Sequence, residues 1–150
     1  YGDHRDLHLS LRRQRQMCIR DRYSPEYWPQ EVGLDRLIKL DKPSFLGKEA
    51  YLKIKDQKPR EKLVVLEVTA DRNADPAGGE PVFLRDGTPV GRVTSGAYGY
   101  TCDKSLAICM IKTDHAIDGN EFHVAVIGQN HDAVMLKEAP FDPLGSKLRG

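Results

Sequence analysis

From Leu63 onward, apolar residues recur at every second position. Val64, Leu66 and Val68 alternate with their neighbours in KLVVLEVT, and Phe122, Val124 and Val126 do so in EFHVAVI. Successive side chains of an extended chain point to opposite faces, so this period puts one face in a core and predicts strands. Between the two runs lies RNADPAGGEPVFLRDGTPVGRV, where Asp86-Gly87 has the positive-φ preference of a tight hairpin joining VFLR to PVGRV. Further strands are expected at residues 91–94, 105–112 and 133–137, making about six short strands at spacings suited to a closed or nearly closed antiparallel barrel. Closure would leave no exposed strand edge. The expected fold class is mainly β: a small antiparallel β-barrel of about six strands, with a preceding short helix and an irregular N-terminal segment.

Ahead of the barrel, SFLGKEAYLKIKD carries Leu46, Ala50, Tyr51 and Ile54 near helical spacing, with Ser44 placed as N-cap. The charged, Pro-containing stretch KDQKPREK then marks a boundary near Pro59. Residues 23–59 read as a connecting segment, with a short strand or helix at 34–40, and residues 60–150 as the barrel domain. Residues 1–22 fit neither pattern. Within them, LRRQRQMCIRDR holds five arginines and one acid, which suggests either a nucleic-acid arm or sequence foreign to the fold.

At 150 residues the chain can build one domain with a real core, burying roughly 68–70% of its unfolded surface. Its 23 basic and 22 acidic residues leave a net charge of +1, so no global field gathers a polyanion or a membrane surface. The three cysteines, Cys18, Cys102 and Cys109, are odd in number and lack a C-x-x-C spacing. They encode neither a disulfide framework nor a zinc site, and a reducing, cytoplasmic setting is expected. No apolar run approaches the roughly 20 residues of a membrane helix, and no secretion signal is evident, so a soluble protein is expected.

The candidate chemistry is sparse. His4 and His8 stand four apart, a spacing that lets two imidazoles share a helix face, but no third ligand follows, and no metal site is expected. His115, His123 and His131 read as surface or satisfied histidines, and Cys109, in an apolar strand, as a buried inert thiol. Gly78-Gly79 lacks a phosphate-cradling pattern and reads as a turn. The richest stretch is VTSGAYGYTCDKSLAICMI, where Ser95, Gly96, Ala97 and Gly99 surround Tyr98 and Tyr100. Small residues there mean a sharp turn between strands or a close backbone approach. Two readings stand: a barrel corner, or a loop presenting an aromatic ring and backbone amides to a flat ligand.

These residues also carry a resemblance. VTSGAYGYT followed by KSLA, the preceding GGEPVF-x-x-DG-x-x-VG, and the upstream GLDRLIKLDKPSFLGKEA together resemble the C-terminal part of the folate-binding aminomethyltransferase family. That family includes the glycine-cleavage T-protein and the C-terminal halves of dimethylglycine and sarcosine oxidases and dehydrogenases. The closing PFDPLGSKLRG is more similar to the dimethylglycine branch. The resemblance implies a three-domain arrangement around tetrahydrofolate, to which this chain contributes the last barrel, with other domains of a parent chain as its partners. It implies a catalytic aspartate and an FAD domain in parts not present here, hence a C-terminal fragment of an N-methyl amine oxidoreductase that is inactive alone, with no catalytic residue of its own. A fragment of a glycine-cleavage aminomethyltransferase is the first alternative. A stand-alone barrel binding nucleic acid or protein through the arginine segment is the second, against which stand the absence of interleaved aromatics and the neutral barrel.

Carried over residue by residue, the resemblance makes Lys42, before Phe45-Leu46-Gly47, the match for a basic residue facing the acidic tail of folate. An exposed lysine with no such role is the plain alternative. Tyr98 becomes a candidate to border the pterin, whereas Glu31, at a P-x-E position, is expected to act at a helix start. The departure from the family is at residues 7–22, where QRQMCIRDR resembles translated sequencing-adapter read-through.

Overall fold

The structure, a computed structural model, describes residues 24–70 and 74–149. The N-terminal 22-residue segment, with His4, His8, Cys18 and the arginine run, lies outside the described residues. Six strands follow the connecting segment: β1 (Glu61–Val68), β2 (Pro81–Phe83), β3 (Pro89–Gly99), β4 (Lys104–Lys112), β5 (Glu121–Val126) and β6 (Gln129–Leu136). They close into a barrel in the order β1-β4-β3-β2-β5-β6, with every neighbouring pair antiparallel. The fold is the expected one.

The alternation seen in the sequence is what fills the interior. Val64, Leu66 and Val68 of β1, Ala107, Cys109 and Ile111 of β4, and Phe122, Val124 and Val126 of β5 are buried in one cluster with Val82, Val90, Val93 and Ala133. Every second residue over much of β1 and β5 thus leaves water, which at roughly 25 cal/mol per Å² of apolar surface supplies the main drive to close the barrel.

β3 is longer than the period predicts, running to Gly99 instead of stopping at Thr94. The register shifts between Val93 and Ser95, so Thr94 is an extra bulge residue, and its hydroxyl donates to the Ile108 carbonyl at 2.9 Å. A bulge breaks the alternation by one residue, and the small residues beyond it carry no apolar period to reveal that the strand continues. β6 starts at Gln129, earlier than residue 133, because QNHD pairs through its backbone without an apolar face. The hairpin at Asp86-Gly87 is present. Only Gly87 has a positive φ, at 85°; its N–H donates to the Leu84 carbonyl, while Asp86 Oδ1 accepts from the Thr88 N–H. The connection is a type I turn closed by a left-handed glycine.

The connecting segment contains a short 3-10 turn at Asp35–Leu37 and the helix α1 (Lys48–Ile54). Ser44 does not cap α1. Gly47 precedes the helix with φ 88° and no side chain caps it, because the left-handed backbone at Gly47 stops helical geometry from extending back to Ser44. Leu46 is correspondingly fully exposed at the loop tip and not on a buried helix face. At the C-terminus, Asp142 accepts from Ser146 Oγ and the Lys147 N–H, fastening the short helix α2 (Ser146–Arg149).

Two inward positions, Gly91 and Gly96, have no room for a side chain. A Cβ at Gly91 would lie 2.3 Å from the Met110 carbonyl oxygen and 3.0 Å from Ile111 Cα, both backbone atoms of the neighbouring strand. Gly91→Ala should therefore force β3 from β4 and destabilise the fold by about 3 kcal/mol. Urea denaturation measures it, and an unchanged midpoint would refute the close approach.

Candidate functional site

The connecting segment is fastened to the barrel by one carboxylate. Glu31 is 1% exposed, and its two oxygens accept from the Trp28 N–H (2.8 Å), the Arg60 N–H (3.1 Å), Arg60 Nε (3.0 Å) and Arg60 Nη2 (3.1 Å). Burial pushes the Glu31 pKa up, but the hydrogen bonds from the Arg60 side chain and the two N–H groups, with the guanidinium charge, outweigh it and hold it below the usual value. The Arg60 guanidinium also lies 5.7 Å from the centre of the Trp28 ring, and the Glu31 carbonyl accepts from the Leu63 N–H of β1. The expected helix-start role for Glu31 is thus not what the structure shows. Trp28 is three residues back, in a turn and not at a helix start, and Arg60 comes from 29 residues away, so Glu31 acts as a tertiary clamp.

A second guanidinium repeats the arrangement. Arg92 on β3 reaches across β4 to Glu61 at 3.1 and 3.2 Å, donates to the Tyr27 hydroxyl, and stands 6.0 Å from the Tyr27 ring centre. Neither clamp follows from local pattern. A fork of N–H donors needs a carboxylate, but nothing in strand alternation says which acid will arrive.

Of the two residues put forward for binding, Lys42 is exposed on the loop leading into α1. Its carbonyl and that of Leu40 accept from Lys48 Nζ, at 2.5 and 3.0 Å, so the loop is pinned to the first turn of α1 while the Lys42 side chain projects from it. Tyr98 is near the end of β3, paired with Ser105 of β4. Its hydroxyl donates to Asp103 Oδ1 at 2.5 Å, and its ring meets Tyr100 edge-on at 5.1 Å between centres. Asp103 makes that contact from a left-handed backbone, φ 53°. Tyr98 thus contacts Asp103 and Tyr100 of its own hairpin, while the loop carrying Lys42 is tied to α1. The stretch around Tyr98 is the corner of a β3–β4 hairpin, with its turn at residues 100–103.

The remaining candidates settle into structural surroundings. Cys109 is fully buried and burial pushes its thiol pKa far up, away from the thiolate that nucleophilic chemistry requires. His123 Nδ1 faces Asp132 Oδ1 at 3.2 Å across β5 and β6, and the His115 carbonyl accepts from Asn120 Nδ2. Gly78-Gly79 forms a turn whose Gly79 N–H donates to the Val93 carbonyl. Among the described residues no three His, Cys, Asp or Glu side chains are grouped to hold a metal ion, and no helix is long and apolar enough to cross a membrane.

Comparison with known proteins places this arrangement. The family model described as the glycine cleavage T-protein C-terminal barrel domain matches residues 61–142. The chain is 37% identical over 111 residues to dimethylglycine dehydrogenase, mitochondrial, of Mus musculus, covering 73% of this chain and 12% of that protein. It is 36% identical over 129 residues to 4-methylaminobutanoate oxidase (formaldehyde-forming) of Paenarthrobacter nicotinovorans, covering 81% and 15%. It is also 36% identical over 119 residues to an aminomethyltransferase of Symbiobacterium thermophilum, covering 79% and 31%. Among solved structures, the glycine cleavage system aminomethyltransferase T of Bartonella henselae superposes with a TM-score of 0.69 at 21% identity, over 79% of this chain and 33% of that one. The chain thus spans between about an eighth and a third of the length of these relatives.

Breaking the Glu31 clamp should loosen the connecting segment. Glu31→Ala is expected to lower Tm by roughly 10 °C, with Glu31→Gln costing less because the amide still accepts from the N–H groups. A carboxylate whose folded pKa is depressed stabilises the fold above its unfolded pKa and loses that contribution as pH falls through the lower folded value. Trp28, the single tryptophan, should therefore change its fluorescence below about pH 4, and Glu31→Gln should abolish that acid transition. An identical transition in the variant would remove Glu31 from the account.

Proposed function

Since the chain belongs to the glycine cleavage T-protein C-terminal barrel domain family, we propose that it is the closing barrel of a longer folate-dependent enzyme. That enzyme would oxidise an N-methyl amine of the dimethylglycine or sarcosine type and pass the one-carbon unit to tetrahydrofolate. The observation that carries this reading is the extent of the family match, which takes in all six strands. The curated relatives named for methylated amines support the oxidoreductase branch.

The residues present fit part of tetrahydrofolate. Lys42 offers an exposed charge to the acidic tail, as a single cation and not as a bidentate fork. Tyr98 offers an aromatic ring held in place by Asp103. Glu31 offers nothing, because its oxygens are already taken up by Arg60 and two N–H groups. Groups that grip the pterin, and the FAD that would take electrons from the amine, belong in this reading to other domains of a parent protein. Tetrahydrofolate, when bound, takes up the one-carbon unit; this chain's share is to orient the ligand and to keep water from a reactive iminium.

The similarity to aminomethyltransferases, 36% over 119 residues, favours a second reading in which the same barrel serves a glycine-cleavage enzyme. The two share the folate contact and differ in the first substrate. The test joins the chain to the coding sequence that precedes it and measures tetrahydrofolate binding, amine oxidation and aminomethyl transfer. Oxidation of dimethylglycine or sarcosine is expected. Lys42→Glu should weaken tetrahydrofolate binding about tenfold while leaving tetrahydropterin, which carries no acidic tail, unaffected. Equal affinity in the variant would remove Lys42 from the site, and turnover by the 150-residue chain alone would overturn the reading.

A further inference from the structure

Resting on the reading that this barrel belongs to a longer protein, and going beyond the folate contacts, we propose that the outer face of β1 and β4 is where the preceding domain of that protein docks. Residues paired across antiparallel strands share a face, so the register gives the outward rows. Leu63 pairs with Met110; in the next row Val65 lies between Ile108 of β4 and Leu136 of β6; beyond it Glu67 lies between Leu106 and Val134. Elsewhere the exterior is polar, with Glu121 and His123 of β5 and Asn130 and Asp132 of β6 pointing away from the core. The middle of β1 and β4 breaks that rule. Its outward residues alternate with Val64, Leu66, Ala107 and Cys109 of the core, so both faces are apolar, the pattern of strands covered on both sides.

The face is covered at one end only. Met110 is fully buried, whereas Val65, Leu106, Ile108 and Leu136 are half-buried and Val134 is 40% exposed. Helix α1 has no buried residue, so it does not lie over these rows. The connecting segment arrives at the Met110 end: the Tyr27 hydroxyl accepts from Arg92, the β3 partner of Met110. The chain ahead of Tyr27 in a longer protein is therefore tethered beside the uncovered rows, which continue an interface that the connecting segment has begun. The named relatives have chain enough to complete it, since this chain covers 33% or less of each. Charges at the two ends are already paired, Arg92 with Glu61 and Lys104 with Glu67, so the occupant meets the centre with apolar side chains.

Cysteine labelling of the protein joined to the coding sequence that precedes it tests this surface without folate or turnover. Val134 and Asn130 are both exposed and both point outward on β6. In the 150-residue chain, Val134→Cys and Asn130→Cys should react with iodoacetamide at similar rates. In the joined protein Val134→Cys should react about tenfold more slowly while Asn130→Cys keeps its rate, because a thiol under a domain is closed to the reagent. Equal rates at the two positions in the joined protein would overturn the proposal; if the 150-residue chain then sediments as a dimer that Val134→Lys dissociates, a second copy takes the face. Protection of Val134 in a joined protein that neither oxidises amines nor transfers aminomethyl groups would uphold the docking and refute the folate reading. An open Val134 in an active protein would do the reverse.

Discussion

The carboxylate of Glu31 is the contact on which the arrangement of this chain depends. Removed from water it would be a severe liability; with two N–H groups and a guanidinium fork it is matched on both oxygens. Because Arg60 immediately precedes β1 and its own carbonyl accepts from the Thr113 N–H, the clamp joins the connecting segment to the lower end of the barrel at several adjacent points. The Arg92 contacts with Tyr27 and Glu61 extend the same seam along the outer wall. Met110 of β4 lies on that outer wall. It alternates away from the core cluster, between Leu63 and Arg92, yet is fully buried.

That seam explains why residues outside the matched barrel keep a defined position. Residues 24–60 have few buried side chains, and no residue of α1 is buried, so packing alone would hold them weakly. Directional hydrogen bonds do the work: Glu31 to Arg60, Gln30 Nε2 to the Ile54 carbonyl, and Lys48 Nζ to the carbonyls of Leu40 and Lys42. Lys42 is thus displayed from a loop tied at both ends. Its long side chain remains in water, but the backbone beneath it is ordered.

What could be read in advance divides along the same physical line. Strand alternation is a local, repeating signal, and it located the core residues of β1 and β5 correctly, with Cys109 of β4 placed in the core by its apolar strand. Closure into a barrel followed from strand number and spacing. Where one residue interrupts the period, as Thr94 does, the reading stopped early, and where a left-handed glycine resets the backbone, as Gly47 does, it misplaced the cap. The Glu31–Arg60 pair was invisible in principle to such reasoning. Its members are 29 residues apart, neither lies in a periodic run, and the signal available, a lone Glu in PQEVGL, suits a helix start equally well. Lys42 and Tyr98 came from resemblance, and no pattern in the residues distinguishes them from an ordinary surface lysine and a hairpin tyrosine.

The architecture also limits where a ligand can be held. Six strands enclose a space that their own inward side chains fill, from Phe122 and Ile111 to the buried thiol of Cys109, so the interior is a core and cannot admit a molecule of pterin size. Anything this chain contributes to recognition must come from its outer surface: the loop carrying Lys42, the hairpin carrying Tyr98 and Tyr100, and the exposed leucines Leu37 and Leu46 of the connecting segment. Such surfaces supply one wall of a site and not an enclosure. A small ligand is held tightly only when most of its surface is covered. In the folate reading the opposing wall must therefore come from the remainder of a longer protein, and Lys42 contributes in proportion to how far that wall excludes water from its charge.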